Sequence, residues 1–345
     1  MNTVLHIGTE KTGTKSIQVF LAMNRRRLRD RGIVFTKSLG AENNRDLATY
    51  AIRDTEFNDD ALSALGIKDR QSRSAYRSGV DERLKSELRD IPAHSRFVIF
   101  SSEHLQSRLK SPAEIETLKS LLARHGLQVA RVIVYLREPA DIIWSLYSTA
   151  LRNGTTDPPP ANPERPHWNH ICDHQHTLSI WADAFGRDVV VPRLFTFGRE
   201  SGQDLIKDFA ATAGVDMNDL AVPLLQNRAL TSTGQTLLRG INTRLSLADT
   251  DLDLPARLRM VQAVSDRFSG TPAPVPSTLR AACERRFADS NEWVRRRYFP
   301  QLVQLFGVAP DADRGVTTAP TVDDALDAFA DYWQSERRAH LHDRT

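Results

Sequence analysis

The chain has 345 residues, enough for about two domains or for one large α/β domain carrying insertions. Apolar residues make up 40% and charged residues 26%, which supports a packed core and excludes wholesale disorder. Forty-six basic residues stand against 43 acidic ones, and a net charge of +3 does not mark a nucleic-acid binder, so no nucleic-acid partner is expected.

The N-terminus, MNTVLHIG, enters an apolar strand at once, with no basic leader and no cleavage site. No apolar run approaches the ~20 residues of a transmembrane helix. Two cysteines, Cys172 and Cys283, do not make a disulfide scaffold. A cytoplasmic location is therefore expected. The basic set is mostly arginine, whose planar fork suits phosphate and sulfate, although genomic composition alone produces the same bias.

In chain order, residues 3–8 read as a buried strand, 14–31 as a helix and 32–36 as a short β-branched strand. Residues 45–90 are polar and mostly helical. RFVIFS at 96–101 is a strand, 112–125 a helix, and ARVIVYL at 130–136 a second strongly apolar strand. Residues 139–153 form a helix with proline near its first turn. The stretch 153–166, NGTTDPPPANPERP, is a loop, because three successive prolines forbid helix and sheet ladder alike. Another strand lies within 187–195. Beyond residue 200 the periodicity is helical, at 202–213, 232–247, 255–268 and 276–298. Strands that do not alternate, separated by helices, predict a parallel sheet covered on both faces. The expected organisation is one α/β domain over residues 3–306. Within it, 153–170 would serve as a lid or acceptor loop and 200–306 as a mainly helical part. A C-terminal extension, 307–345, would carry one helix.

The first chemical motif is VLHIGTEKTGTKSIQVFL. A strand ends at Gly8, a loop of small residues with Lys11 follows, and a helix starts near Gly13 and Thr14. Backbone N–H groups and the positive end of a helix then point at one place, which suits phosphate or sulfate. Thr12, Thr14 and Ser16 add hydroxyls. Gly8 and Gly13 have the spacing of a Walker A box, but Thr14 occupies the lysine position and Lys15 comes one residue late, a rotation of ~100° on a helix. A strand–helix turn with no ligand is the alternative. The second motif is VIVYLREPADIIWSLYSTALRNG, in which Arg137 follows a strand directly and Ser145 lies in the next helix. Such a pair can meet one anion from two sides.

Taken together, Lys11-Thr12-Gly13-Thr14 and Leu136-Arg137-Glu138-Pro139-Ala140-Asp141 with Ser145 resemble the sulfotransferases that use 3′-phosphoadenosine 5′-phosphosulfate (PAPS), most closely bacterial, carbohydrate-sulfating members. Weaker echoes are Asn227-Arg228 and the run from Arg286 to Asn291. The resemblance implies a three-layer, P-loop-like parallel sheet. It implies that Lys11, Thr12, Gly13, Thr14, Lys15 and Ser16 hold the 5′-phosphosulfate end, and that Arg137 and Ser145 hold the 3′-phosphate. It further implies PAPS as donor, no metal, and a hydroxyl-bearing acceptor, a carbohydrate. Lys15 departs from the family, which commonly has Thr or Ser there. An ATP-dependent P-loop kinase and a non-catalytic nucleotide-binding homologue are the rival functions.

Sulfuryl transfer needs a base within hydrogen-bond reach of the acceptor hydroxyl. The strand 96–101 should deliver Glu103 and His104 to the carboxyl edge of the sheet, where open α/β sheets place ligands. The resembled family uses either residue type. Glu103 is preferred as the nearer to the strand end, and capping of the next helix is its structural alternative. The cluster His167, His170, Cys172, His174, His176 matches no zinc spacing. His167 and Trp168 could stack on a sugar at the acceptor rim, or Trp168 could pack into the core.

Overall fold

Five short apolar runs become the parallel strands of one sheet in the computed structural model, which describes residues 1–57, 59–195, 202–224, 229–245, 253–307 and 319–342. The strands β1 (Asn2–Gly8), β2 (Ile33–Phe35), β3 (Phe97–Ser101), β4 (Gln128–Leu136) and β5 (Val190–Leu194) lie in the order β2-β3-β1-β4-β5. Every pairing between them is parallel. The helices that follow in the chain are α1 (Thr14–Met23), α2 (Arg25–Asp30), α3 (Arg45–Ala51), α4 (Asp60–Ala64), α5 (Arg70–Arg89), α6 (His104–Arg108), α7 (Pro112–Arg124), α8 (Pro139–Arg152), α9 (Pro166–Cys172), α10 (His174–Phe185) and α11 (Gly202–Ala213).

The lack of alternation in these strands has its cause in two covered faces. Val4, Ile99, Ile133 and Tyr135 share one buried cluster with Ile17, Phe20 and Leu21 of α1 and Phe209 of α11. Their neighbours in the pleat, Leu5, Phe100, Val132 and Val134, are fully buried on the other face, where α7 and α10 pack against β4. The result is the predicted three-layer α/β arrangement. From β1 the chain crosses to one side, to β2, and from β3 it crosses over β1 to β4. The direction therefore reverses beside β1, and the carboxyl ends of β1, β3 and β4 form the crevice at which such sheets bind ligands.

The predicted helix over 14–31 is interrupted. At Asn24 the backbone leaves helical geometry and α1 ends. The Asn24 side chain donates to the carbonyls of Phe20 (2.8 Å) and Ala221 (2.7 Å), and accepts from the Ala221 amide (2.9 Å). A side chain tied to a segment 197 residues away fixes the break.

The described chain forms two compact units. One comprises Met1–Glu138, Glu164–Leu225 and Phe287–Leu305; the other Pro139–Pro163, Gln226–Arg286 and Phe306–Thr345. The first holds the sheet. The second contains α8, β6 (Ala229–Leu230), α12 (Ser232–Arg244), α13 (Leu254–Arg267) and β7 (Ser269–Gly270), with β6 and β7 antiparallel. The helix α14 (Ser277–Tyr298) contributes to both units, and α15 (Val322–His342) packs along α13. Asn242 organises the interior of the second unit. It donates to the Leu151 and Thr155 carbonyls (2.8 and 2.9 Å) and accepts from Arg257 (2.7 Å). No helix of the described residues is long and apolar enough to cross a membrane.

Candidate active site

The loop from β1 to α1 turns through three residues of positive φ: Gly8 at 87°, Lys11 at 66° and Gly13 at 75°. A left-handed conformation costs a residue with a Cβ about 1–2 kcal/mol, so its presence at Lys11 marks a loop shaped by its surroundings. The restraint comes from inside. The Thr12 hydroxyl donates to the Thr9 carbonyl at 2.6 Å, and Thr14 reaches the same oxygen at 3.5 Å. Thr9 and Thr12 are fully buried. The proton of the Thr12 hydroxyl is thus used within the loop, and what this residue offers an anion is its amide. Gly13 caps α1 in the left-handed conformation, and its carbonyl accepts from the Ser16 amide at 2.9 Å. The amides of Thr14 and Lys15 precede that bond and carry the positive end of the helix dipole. Lys15 is exposed on the first turn.

Gly8 is required by a close approach. A Cβ there would lie 2.7 Å from Glu103 Cα and 2.8 Å from Glu103 Cβ. The loop after β1 and the exit of β3 are therefore packed backbone against backbone. Gly8→Ala is expected to destabilise the protein by about 2–4 kcal/mol, from the positive φ and the collision together. Urea unfolding checks this. A loss below about 0.5 kcal/mol would show that the two segments separate freely.

Glu103 starts α6 but makes no side-chain capping bond to it. Its carboxylate turns away instead, and Oε2 accepts from Gln18 Nε2 of α1 at 3.1 Å and from Asn43 Nδ2 at 3.0 Å. Asn43 is held by its neighbour: the Asn44 and Ser101 amides bond reciprocally to Ser101 O and Asn44 Oδ1, each at 2.9 Å. His104 is half-buried. Burial lowers its pKa, against the opposing pull of the Glu103 and Glu10 carboxylates. Its Nδ1 is buried with no hydrogen-bond partner among the described residues. Glu10 acts electrostatically on both His104 and His167, so α6 and α9 face the same carboxylate beside Lys11.

Arg137 leaves β4 and returns to the loop. Its Nη1 donates to the Lys11 carbonyl at 2.6 Å, and its guanidinium lies over the Phe195 ring at 5.4 Å. The Arg137 carbonyl accepts from His174 Nε2 at 2.8 Å. His174 is wholly buried, and burial pushes its pKa down to about 4, so the ring is neutral. The structure thus gathers Lys11, Thr12, Gly13, Thr14, Glu103, His104 and Arg137 at one edge of one sheet. Ser145 is half-buried on α8, in the second unit.

The histidine cluster has a structural use. His170 Nε2 meets the Gln106 carbonyl at 2.8 Å and His176 Nε2 the Lys110 carbonyl at 3.1 Å. With His174, these rings tie α9 and α10 to α6 and to the exit of β4. Among the described residues no group of three or more His, Cys, Asp and Glu side chains is placed to hold a metal. His167 is exposed on α9. Trp168 is buried, with the Arg165 guanidinium over its ring at 4.8 Å, so its ring packs inward and is covered. In the echo from Arg286 to Asn291, Ser290 bonds Asp173 and the Gln175 amide, both at 2.9 Å, and seats the start of α10. Asn227 and Arg228 lie outside the described residues. Sequence reasoning missed Gln18, Asn43 and the link from His174 to Arg137.

No protein-family model matches the chain, and neither does any curated protein sequence. Among solved structures, the chain is similar to a sulfotransferase from Alicyclobacillus acidocaldarius, with 16% sequence identity and a TM-score of 0.41 over 74% of this chain and 98% of that one.

Proposed function

We propose that the protein is a sulfotransferase that moves a sulfuryl group from PAPS to a hydroxyl acceptor, a carbohydrate. The observation that carries this is the 2.6 Å bond from Arg137 to the Lys11 carbonyl, which joins the anion-cradling loop to a strand-end arginine on the edge where Glu103 emerges. The tight turn suits a phosphosulfate: its positive-φ residues turn the backbone sharply just ahead of the positive end of α1, an arrangement that favours an anion. PAPS, when bound, supplies a sulfuryl group already attached to a phosphate leaving group. In this reading Lys11 and the amides of residues 12–16 hold its 5′ end, with Lys15 adding positive charge. Arg137 receives the 3′-phosphate, the role that the sequence resemblance also gives Ser145. Glu103 takes the proton at the acceptor oxygen, with His104 as the alternative base. His167 faces the acceptor, and Trp168 anchors the helix that carries it.

Adenosine 3′,5′-bisphosphate is expected to bind at least about tenfold more tightly than AMP, a difference of ~1.4 kcal/mol, and Arg137→Ala to erase most of that preference. Calorimetric titration of both nucleotides tests this, with ATP and magnesium as the kinase control. Equal affinity for the bisphosphate and AMP in the wild type overturns the donor assignment. Stronger stabilisation by ATP with magnesium points to a kinase.

A further inference from the structure

The C-terminal helix α15 is amphipathic in the inverted sense. Its polar side faces its neighbour α13: Glu336 receives both Arg259 Nε and Nη2 (2.6 and 3.0 Å), while Arg267 pairs with Asp331 at 2.9 Å and with Asp327. Ala328 is the buried contact between these acids. The apolar side points outward. Val322, Leu326, Phe329 and Trp333 are 76%, 59%, 53% and 57% exposed. Their spacing of i, i+4, i+7, i+11 puts all four on one stripe of the helix. Phe329 and Trp333 stack on each other at 6.2 Å between centroids. Four large apolar side chains in a row on one helix mark a contact surface, unlike apolar residues scattered singly.

We propose that this stripe is a homodimer interface, in which two copies of α15 pack antiparallel about a two-fold axis. A single straight stripe is self-complementary under such an axis, as a symmetric dimer requires. Covering the four side chains removes roughly 500 Å² per copy, about 1,000 Å² in all, which reaches the lower bound for a specific interface and corresponds to a reversible dimer. The flanking acids do not oppose it, because Asp327, Asp331 and Glu336 are neutralised by Arg259 and Arg267 of their own α13. The charges of the whole helix argue against an anionic membrane surface as occupant: α15 carries five acidic residues against two arginines, Arg337 and Arg338 at its C-terminal end, whereas helices that lie on lipid are rich in Lys and Arg along the polar face. None of the stripe's residues belongs to the proposed donor site, so the inference does not depend on the sulfotransferase reading.

The test is sedimentation velocity of the full chain from about 1 to 100 μM, with Phe329→Asp and Trp333→Asp singly and combined. A monomer–dimer equilibrium is expected for the wild type, weakened at least about 100-fold by the double substitution, with far-UV circular dichroism unchanged. The Trp333 emission, read as the difference between wild type and Trp333→Phe, should shift to the blue as the dimer forms. A wild type that stays monomeric at 100 μM overturns the proposal. So does a dimer that survives the double substitution. A monomer with Trp333 emission already blue at the lowest concentration also overturns it, and would show the stripe covered within one chain.

Discussion

Glu103→Gln is expected to slow sulfuryl transfer by about 10²-fold or more while leaving the affinity for adenosine 3′,5′-bisphosphate nearly unchanged. The substitution keeps the shape of the side chain, so the Gln18 and Asn43 amides that orient Oε2 still find an oxygen at 3.0–3.1 Å. What it removes is the carboxylate that accepts a proton in the proposed reaction. The packing of Glu103 against Gly8 is made by the Glu103 Cα and Cβ, which the substitution leaves in place. Loss of fold is therefore not the expected cause of lost turnover. His104→Ala should do less, because burial lowers the basicity of that ring. Lys11→Ala supplies the contrast. In the proposed reading its charge meets the sulfuryl end of the donor, where negative charge develops, so the substitution should lower kcat by about 10²–10³-fold with a smaller effect on nucleotide binding. Lys15→Thr should be tolerated. Single-turnover transfer from labelled PAPS, measured beside nucleotide titration, separates the outcomes. A large loss in His104→Ala with a mild one in Glu103→Gln moves the base to the histidine. A large loss in Lys15→Ala with none in Lys11→Ala shifts the loop by one residue.

The parts of this site that sequence reading found are local, and the parts it missed are distant. Gly8, Lys11 and Gly13 announce a tight strand–helix turn because each special residue lies within a few positions of the next. Arg137 announces itself as the residue that ends an unbroken apolar strand. The bond between Arg137 and Lys11 spans 126 residues, and only the strand order β3-β1-β4 brings them together. Gln18 left a trace, a polar residue between Ile17 and Val19 on the apolar face of α1. Its target, 85 residues on, left none. Asn24 broke a helix whose local sequence is unbroken for the same reason. The histidines illustrate the converse. Five ligand-type side chains within ten residues suggest a common purpose, yet the rings of His170, His174 and His176 bond three separate carbonyls, 64, 37 and 66 residues away. Proximity in sequence put them on two short helices, and packing then gave each its own partner.

The second large effect is on stability below neutral pH. His6 lies at the centre of the sheet, wholly buried, 2.8 Å from the Ser101 hydroxyl and against the Tyr135 and Phe209 rings. Burial pushes its pKa down to about 3, and that of His174 to about 4. In the unfolded chain both rings titrate near 6.5. As the pH falls below that value the unfolded state takes up protons that the native state refuses, so stability is lost with acid and is fully present above pH 6.5. Each ring removes about 1.4 kcal/mol per pH unit until its folded pKa is reached. Between pH 6.5 and 5 the two together cost roughly 3 kcal/mol, out of a total that is about 5–15 kcal/mol for a typical domain. Few carboxylates titrate in that window, which isolates the histidines. The change at His174 does not require loss of its bond to Arg137, since a charged ring still donates from Nε2; the penalty is that of burying the charge. His6→Leu removes one titration and keeps an apolar residue at the site. Its stability at any one pH is lower for want of the Ser101 bond, so the informative quantity is the difference between pH 7.5 and pH 5 in urea unfolding. That difference should be about 2 kcal/mol smaller in His6→Leu than in the wild type. An unchanged difference would mean that His6 takes up its proton in the folded sheet, with water reaching the ring between β1 and β3.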